Sequence, residues 1–465
     1  MPSHRDPGER RPQDPGLWFI VQALSRGSTA SAAAIVLLAL AQAAFADVRG
    51  ASEAGGDPRR TRSGAALTAE VNPDEAAHAK SDSERVNESY QPKGIELGSF
   101  LFLPKIEVDE TFSSNVYATE VDTKSDSITT IRPSMKLRSR FKEHELNFSL
   151  QAEQYLFATY TSDDRTEIQA DLDGRYDFNS NTQASFSTEV YARHEDRGSP
   201  DDAHGVAPTP TQGVLNTLKF KHQRNRYTFQ GEFESDRLSF DNVATANGAP
   251  VINTDRNRWE LTARERASYE MAPGYAAVIE LSENKHYFDS KLDRAGFDRN
   301  SSGYRVETGV GVDISQLIRG DFLLGYFHQE FKDSRLTDPE GLSVRATFNW
   351  TPDKLTLVVP SFSRTVSDTT TAQASALVHN AATVTVRHEL RRNVVLTGFG
   401  SVAYDQLSGV ENQNAMTYEV KGKAIYAFTP QLFVGGEIGY KTKASEAALA
   451  SYDQTTVMLR IGVQY

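Results

Sequence analysis

The most informative feature of this chain is an alternation of apolar and polar residues that begins near Gly98 and recurs to the C-terminus. The stretch 163–178 shows it well. One face carries Ile168, Ala170, Leu172, Gly174, Tyr176 and Phe178, and the other carries Glu167, Gln169, Asp171, Asp173, Arg175 and Asp177. Because successive side chains of a strand point to opposite faces, this spacing predicts a β-strand with one apolar wall and one charged wall.

Similar segments fill the rest of the chain, and they are long. Strands of soluble sandwiches have about 5–6 residues, whereas a tilted membrane strand needs about 9–11. We count 18 segments: 101–117, 127–139, 144–159, 163–178, 182–195, 213–223, 226–240, 255–270, 275–288, 301–314, 321–332, 341–351, 354–366, 374–390, 393–405, 415–428, 431–443 and 452–465.

The connections between these segments alternate in length. Every second one is short, as in 179–181, 223–225, 272–274, 351–353, 391–393 and 429–431. The intervening ones are mostly longer and polar, notably 196–212, 241–254 and 289–300. Short periplasmic turns that alternate with long external loops are typical of bacterial outer-membrane barrels. We therefore predict an all-β fold, a single closed antiparallel transmembrane β-barrel of about 18 strands with both termini in the periplasm.

The aromatic residues support a barrel. The last segment alternates to a terminal Tyr465, which resembles the C-terminal signal read by the outer-membrane assembly machinery. Two interfacial belts are expected at a membrane. The predicted belt beside the short turns contains Tyr176, Phe178, Tyr269, Tyr275, Trp350 and Phe428. The predicted belt towards the long loops contains Tyr117, Tyr160, Phe240, Phe288, Phe331 and Tyr404.

The N-terminal region has a different composition. Arginines precede an apolar run, 32–41, and Ala44-Phe45-Ala46 is a small-x-small cleavage pattern. This combination predicts a secretory signal peptide over 1–46, cleaved near Ala46. Residues 47–93 are small and charged with almost no aromatics, and they predict a disordered periplasmic tail. The barrel would then occupy 94–465, in the cell outer membrane.

Charge and motifs exclude several function classes. A net charge of −12 on an exported chain does not favour nucleic-acid binding. His144-Glu145 and His388-Glu389 lack the second histidine of a zinc-protease motif, and no nucleophile elbow or phosphate-binding loop occurs. The chain has no cysteine. We predict no cofactor, no metal site and no enzyme, although a catalytic site shared between neighbouring strands stays open.

The charged wall is the predicted functional surface. Arg or Lys facing lipid at mid-membrane would cost about 2–4 kcal/mol, so these side chains belong in the lumen. Glu265 is the exception, because it interrupts an apolar face. The wall either wets the channel or forms a cationic ladder that guides an anionic sugar polymer. The pore-lining candidates are Arg256, Arg258, Arg264, Arg266, Arg387, Lys421, Lys423 and Arg460, with Glu167, Asp171 and Asp173 as negative counterparts.

Several stretches resemble the second type of outer-membrane β-barrel porin family. They are Leu97-Gly98-Ser99-Phe100, Pro104-Lys105-Ile106-Glu107, Asn115-Val116-Tyr117-Ala118, Asp126-Ser127-Ile128, Ile131-Arg132-Pro133 and His194-Glu195-Asp196-Arg197-Gly198-Ser199-Pro200-Asp201. Ser114 stands where the family usually has Asp. Members are often encoded beside exopolysaccharide export clusters. The resemblance covers about 94–465 and implies an outer-membrane pore, with polymer export as its expected role.

Other functions remain open on the sequence alone. A general diffusion porin would narrow its lumen with an inward-folded loop, for which 196–212 and 241–254 are candidates. A plugged structural or surface-interaction barrel and an outer-membrane enzyme are further alternatives. The expected partners are outer-membrane lipid, the assembly machinery through Tyr465, and polysaccharide export components.

Overall fold

The computed structural model describes residues 90–199, 202, 205–314, 317–369, 371 and 374–465. The predicted signal peptide 1–46 and residues 47–89 of the predicted tail lie outside the described residues. Among the described residues, eighteen long β-strands and one short segment, Ile95–Leu97, form a single antiparallel sheet.

Each predicted segment corresponds to one long strand. In chain order the strands are β1 (Phe100–Ser113), β2 (Asp126–Ser139), β3 (Glu145–Phe157), β4 (Arg165–Asn179), β5 (Thr182–His194), β6 (Pro210–Arg224), β7 (Tyr227–Phe240), β8 (Arg258–Ala272), β9 (Tyr275–Phe288), β10 (Ser301–Ile314), β11 (Ile318–Phe331), β12 (Glu340–Asp353), β13 (Thr356–Asp368), β14 (Ala376–Arg391), β15 (Val394–Leu407), β16 (Ala415–Ala427), β17 (Leu432–Ser445) and β18 (Tyr452–Gln464).

The sheet closes on itself. Every long strand pairs antiparallel with the next one along the chain, and β1 also pairs with β18 from Lys105↔Gln464 to Ser113↔Thr456. Beyond the end of β18, Ile95–Leu97 takes its place and pairs with Phe100–Phe102. The closed eighteen-stranded antiparallel barrel is therefore confirmed, and closure removes the free edges of an open sheet.

The two ends of the barrel differ as the alternation predicted. At one end, here called the short-turn end, two residues join β4 to β5 and β8 to β9. Gly274 in the second of these turns has φ +81, and a Cβ there would lie 2.8 Å from the Asp313 carbonyl oxygen. Only glycine fits that position without strain. The opposite end, the long-loop end, carries connections such as 195–209 and 241–257.

Alternation along each strand separates an apolar outer face from an ionised inner face. Val457, Leu459, Ile461 and Val463 of β18 are all exposed on the outer face. On the inner face, Arg266 of β8 pairs with Asp321 of β11. A side chain can reach past two intervening strands only on the concave side of the wall, so the charged parity faces the lumen.

The aromatic residues at the long-loop end differ from the prediction. Phe240 and Phe331 are buried, and Phe240 has the inward parity of its strand. A different set of exposed aromatic residues forms the belt on the outer face, and these residues have the outward parity of their strands: Trp259, Tyr287, Tyr304, Tyr326, Tyr418 and Tyr440. At the short-turn end, the predicted Tyr176, Phe178, Tyr269, Tyr275, Trp350 and Phe428 are exposed as expected.

Little regular structure lies outside the barrel. The loops contain 3-10 turns at Thr161–Asp163 and Thr254–Arg256, and a two-stranded ribbon joins Val243–Ala244 to Pro250–Val251. Within the part of the chain that the structure describes, no helix has both the length and the apolar character needed to cross a bilayer.

A charged side chain placed on the lipid-facing outer surface should destabilise the barrel. Ile461 lies between Val108 and Val434 on the neighbouring strands. We expect Ile461→Arg to lower the free energy of unfolding by about 2–4 kcal/mol, measured by urea titration in phospholipid vesicles. The control is Ser401→Arg, on the inner face opposite Glu419, which should change it far less. Equal losses for both variants would contradict the assignment of faces.

Candidate functional site

The inner face is organised around ion pairs. The first group, here called the Glu280 network, centres on the carboxylate of Glu280 in β9, which is 4% exposed. It lies within ion-pair distance of the guanidinium groups of Arg264, Arg266 and Arg345. Those cations also pair with Glu232, Asp321 and Glu307 respectively. Since desolvated charges are stable only when paired, these side chains stabilise one another as a unit.

A second group, the Asp109 network, lies on β1, β2, β3 and β18. Asp109 accepts hydrogen bonds from Arg132 Nη1 at 3.0 Å and from Arg460 Nε at 2.7 Å. Arg132 also pairs with Glu153 at 3.1 Å, and Arg460 with Glu107 at 3.2 Å. A cavity of about 560 Å³ lies beside this network, and its wall includes seven carboxylates, three amides and two guanidinium groups.

The two networks face each other across the lumen. The Glu280 network spans β7 to β12 and the Asp109 network spans β18 to β3. Their central residues, Glu280 on β9 and Asp109 on β1, are eight positions apart in a ring of eighteen. Opposite walls of the channel therefore carry matched positive and negative groups rather than one sign of charge.

The described residues of the β5–β6 connection, 195–199, 202 and 205–209, reach across the long-loop end. Glu195 pairs with Arg256, with Arg256 Nη1 2.8 Å from Oε2. Lys443 of β17 donates to the Gly198 carbonyl at 3.2 Å. Gly198 has φ +77, and a Cβ there would meet Tyr452 of β18 at 2.9 Å. A connection between β5 and β6 that contacts β17 and β18 must pass over the lumen, so this loop narrows the mouth.

Arg197 holds that loop in its folded position. Its guanidinium pairs with Asp163 in the β3–β4 connection at 2.9 Å. It also donates to the Gly205 carbonyl at 2.7 Å and to the Val206 carbonyl at 3.0 Å. One cation thus joins both described ends of the loop to a neighbouring connection.

A second set of loop contacts lies at the opposite side of the long-loop end. Arg299, in the β9–β10 loop, donates to the carbonyls of Thr369 and Ala374 at the β13–β14 tip, each at 2.9 Å. Asp293 accepts from Arg299 Nε at 2.5 Å. Burial alone would raise the pKa of the Asp293 carboxyl, but the Phe297 N–H and the Arg299 guanidinium hold that pKa below its usual range. The contact is therefore kept until the pH falls through this lowered pKa.

The short-turn end has an apolar contact inside the lumen. Val395, Ile425, Ala427 and Phe433 form a buried cluster, and Tyr90 packs against it. Gly94 allows this path, because its φ is +71 and a Cβ would lie 2.7 Å from Leu101. The segment predicted as tail up to residue 93 therefore contacts the barrel from Tyr90 onward.

Most of the predicted pore-lining residues have the inward parity of their strands. These are Arg258, Arg264, Arg266, Arg387, Lys421, Lys423, Arg460, Glu167, Asp171 and Asp173. Arg256 does not lie on the wall, because β8 begins at Arg258 and Arg256 ends a 3-10 turn before it. Glu265 faces outward and is exposed, as its parity predicted.

Sequence reasoning missed the acidic partners of these arginines. Glu280, Glu232 and Glu307 come from β9, β7 and β10, while the sequence prediction followed the cations along β8 alone. The alternation of β9 would have placed Glu280 inside, but only the register Arg266↔Glu280 shows that it meets the β8 arginines. On β8, the three inward arginines of the predicted cationic ladder therefore each have a carboxylate partner.

One cluster has the composition of a metal site. Glu260, His286 and Asp368 place one ligand atom each within 4.8 Å of the others. However, Arg258 Nε lies 2.7 Å from Glu260 and 3.1 Å from Asp368. The guanidinium supplies the positive charge that these carboxylates need, so we interpret the cluster as an ion-pair group.

Comparison with known families identifies this barrel. Residues 88–465 match the family described as "Putative beta-barrel porin 2". The chain belongs to this family. It is thus an outer-membrane β-barrel of porin type, which agrees with the resemblance carried by the sequence motifs.

Similarity to individual proteins is low. OpdK of Pseudomonas aeruginosa, solved with vanillate, has a TM-score of 0.40 and 8% identity over 78% of this chain and 99% of its own. A BenF-like porin of Pseudomonas fluorescens Pf-5 gives the same four values. The ferric citrate transporter FecA has a TM-score of 0.39 and 10% identity over 77% and 61%. No curated protein matches this chain.

The Glu280 network predicts a large effect on stability. Glu280→Gln removes the shared carboxylate and leaves three guanidinium groups short of a partner. Breaking a buried pair in this way costs about 3–5 kcal/mol, so we expect a loss towards the lower end of that range in urea unfolding. Glu265→Gln, the same change on the outer face of β8, is the matched control and should leave the free energy of unfolding nearly unchanged. Equal effects would contradict the network.

Proposed function

We propose that this porin is a diffusion pore for small polar solutes, with its external mouth narrowed by the described residues of the β5–β6 connection, 195–199, 202 and 205–209. The observation that carries the proposal is the hydrogen bond from Lys443 to the Gly198 carbonyl, which joins the β5–β6 connection to β17. In this assignment the short-turn end faces the periplasm and the long-loop end faces the exterior. Family membership favours transport over the plugged-barrel and enzyme alternatives.

Matched charge on the two walls supports a polar rather than an ionic solute. In the Glu280 and Asp109 networks each arginine has at least one carboxylate partner, so neither wall offers a bare row of cations. Carboxylate, amide and guanidinium groups can hydrogen-bond to hydroxyls without a net field that selects ions by sign. We therefore expect weak ion selectivity, and the cationic-ladder hypothesis loses its main support.

Export of an exopolysaccharide is the second candidate. The same hydroxyl-binding lining beside the Asp109 network suits a sugar chain. A polymer would, however, need the loop 195–209 to move away from β17 and β18 as it passes. The two candidates therefore differ in the size of solute that crosses while the Lys443 contact is intact. Polysaccharide export components and the assembly machinery at Tyr465 remain predicted partners.

Releasing the loop should widen the pore. Arg197→Ala removes the ion pair with Asp163 and both carbonyl contacts, so we expect a higher single-channel conductance in planar bilayers. It should also admit larger neutral polymers in a size-exclusion series. Arg237→Ala is the control, because Arg237 pairs with Asp289 on the outer face, away from the lumen.

Three results separate the possibilities. Increased conductance in Arg197→Ala alone supports constriction by the loop. Unchanged conductance in both variants would contradict it. Passage of long sugar polymers through the unmodified protein, with no change in Arg197→Ala, would favour the export function instead.

A further inference from the structure

The barrel wall is interrupted between β12 and β13. These strands pair at Arg345↔Ser363, Ala346↔Phe362 and Thr347↔Ser361. Between Arg345↔Ser363 and the long-loop end, no ladder joins them. Residues 340–344 of β12 stay paired with β11, and residues 364–368 of β13 stay paired with β14. All ten residues are described, so the two strands separate over their last five positions at the long-loop end.

Contacts across the lumen hold β13 away from β12. Asp368 at the end of β13 lies 3.0 Å from His286 Nδ1 in β9 and 3.1 Å from Arg258 Nε in β8. Those strands are four and five positions away around the ring. Together with the Arg299 contacts to Thr369 and Ala374, these pairs hold the end of β13 towards the lumen.

The packing of Val366 shows which layer β13 occupies. Val366 shares the parity of Phe362, which is exposed on the outer face lower in the strand. Val366 itself packs against a buried cluster that includes Phe331, an inward-facing residue of β11. The outer face of β13 therefore lies against the inner face of the neighbouring wall. The ladder between the two strands is missing along residues 340–344 of β12, and this gap is here called the slit.

Arg364 lies on the same face of β13, between Phe362 and Val366. Its Nε atom is buried and has no hydrogen-bond partner among the described residues. Nor does any described carboxylate form an ion pair with it. The Arg364 side chain is half-buried, and a partly desolvated guanidinium without a described counter-charge is stabilised by an anion, so this position favours one that enters the slit.

We propose that this slit is a lateral portal through which a single-chain amphiphile with an anionic head group passes between the outer leaflet and the lumen, with Arg364 binding the head group. The acyl chain would lie along the exposed Leu342 and the half-buried Val344 on the lipid side of β12. Open strand edges are avoided in membrane barrels because their backbone groups lack partners. The inference adds a substrate class to the proposed pore and rests on it only for the step into the lumen.

Paired cysteines test whether the slit is open. The chain has no native cysteine. Continuing the register of β12 and β13 would bring Leu342 opposite Val366, whereas Ala346 and Phe362 are true partners on the same faces. Because a disulfide needs Cα atoms about 4.4–6.8 Å apart, mild oxidation should link Ala346→Cys/Phe362→Cys and leave Leu342→Cys/Val366→Cys reduced. Equal and complete linking of both pairs would overturn the proposal.

A photoreactive palmitate analogue tests the ligand. In proteoliposomes we expect it to label the protein within 340–344 or 362–366, located by mass spectrometry. Losing a charged hydrogen bond should make labelling by Arg364→Gln about tenfold weaker. Arg387→Gln, an inward arginine of β14 towards the short-turn end, is the matched control and should label normally.

The remaining outcomes each decide the matter. Equal labelling by the matching uncharged alcohol, or equal labelling of Arg364→Gln and the unmodified protein, would overturn head-group binding. Labelling confined to other strands would overturn the portal. If the protein conducts no ions in bilayers but both slit experiments succeed, the diffusion pore fails while the lateral site stands.

Discussion

The constraint on which this structure depends is the hydrogen bonding of the backbone in a medium without water. Every N–H and C=O group within a bilayer needs a partner inside the chain, and a sheet can meet that demand only by closing. Pairing of β1 with β18 supplies the closure, and the short segment Ile95–Leu97 extends the ladder beyond the end of β18. The alternation of side chains then follows, because a closed wall has one face in lipid and one face in the lumen.

Closure also determines how the charges are arranged. Alternating strands put a charged row on the inside of the wall, and a concave wall brings side chains from strands two or more positions apart within reach of each other. Arg266 and Asp321 meet in this way across β9 and β10. Since an unpaired charge in a partly dry lumen is unfavourable, cations on one strand require carboxylates on others. The wall is consequently matched in charge, which suits polar solutes better than ions of one sign.

Sequence alone predicted the local properties and missed the ones that depend on register. Period-two alternation was enough to assign Arg264 and Asp171 to the inner face and Glu265 to the outer face, because parity is a property of a single strand. The partners of Arg264 depend on which residues of β7 and β9 lie opposite, and no local pattern contains that information. Arg256 was placed on the wrong element because the strand begins at Arg258, three residues later than the predicted segment 255–270. Phe240 and Phe331 were assigned to the wrong face of the wall because nearness to a loop was used instead of parity.

The overlap at β12 and β13 shows the limit of pattern reasoning and has an energetic explanation. Separating five residues of each strand removes a few ladder hydrogen bonds, each worth about 0.5–1.5 kcal/mol net. The inward tip gains two charge-assisted bonds from Arg299, at about 1.5–3 kcal/mol each, and two ion pairs of Asp368 inside the lumen. The free energies lost and gained are of similar size. The contacts of Arg299 and Asp368 can therefore offset the loss of the ladder hydrogen bonds. Contacts made across the lumen thus compete with the ladder at this point, and the pattern of a single strand contains no information about that competition.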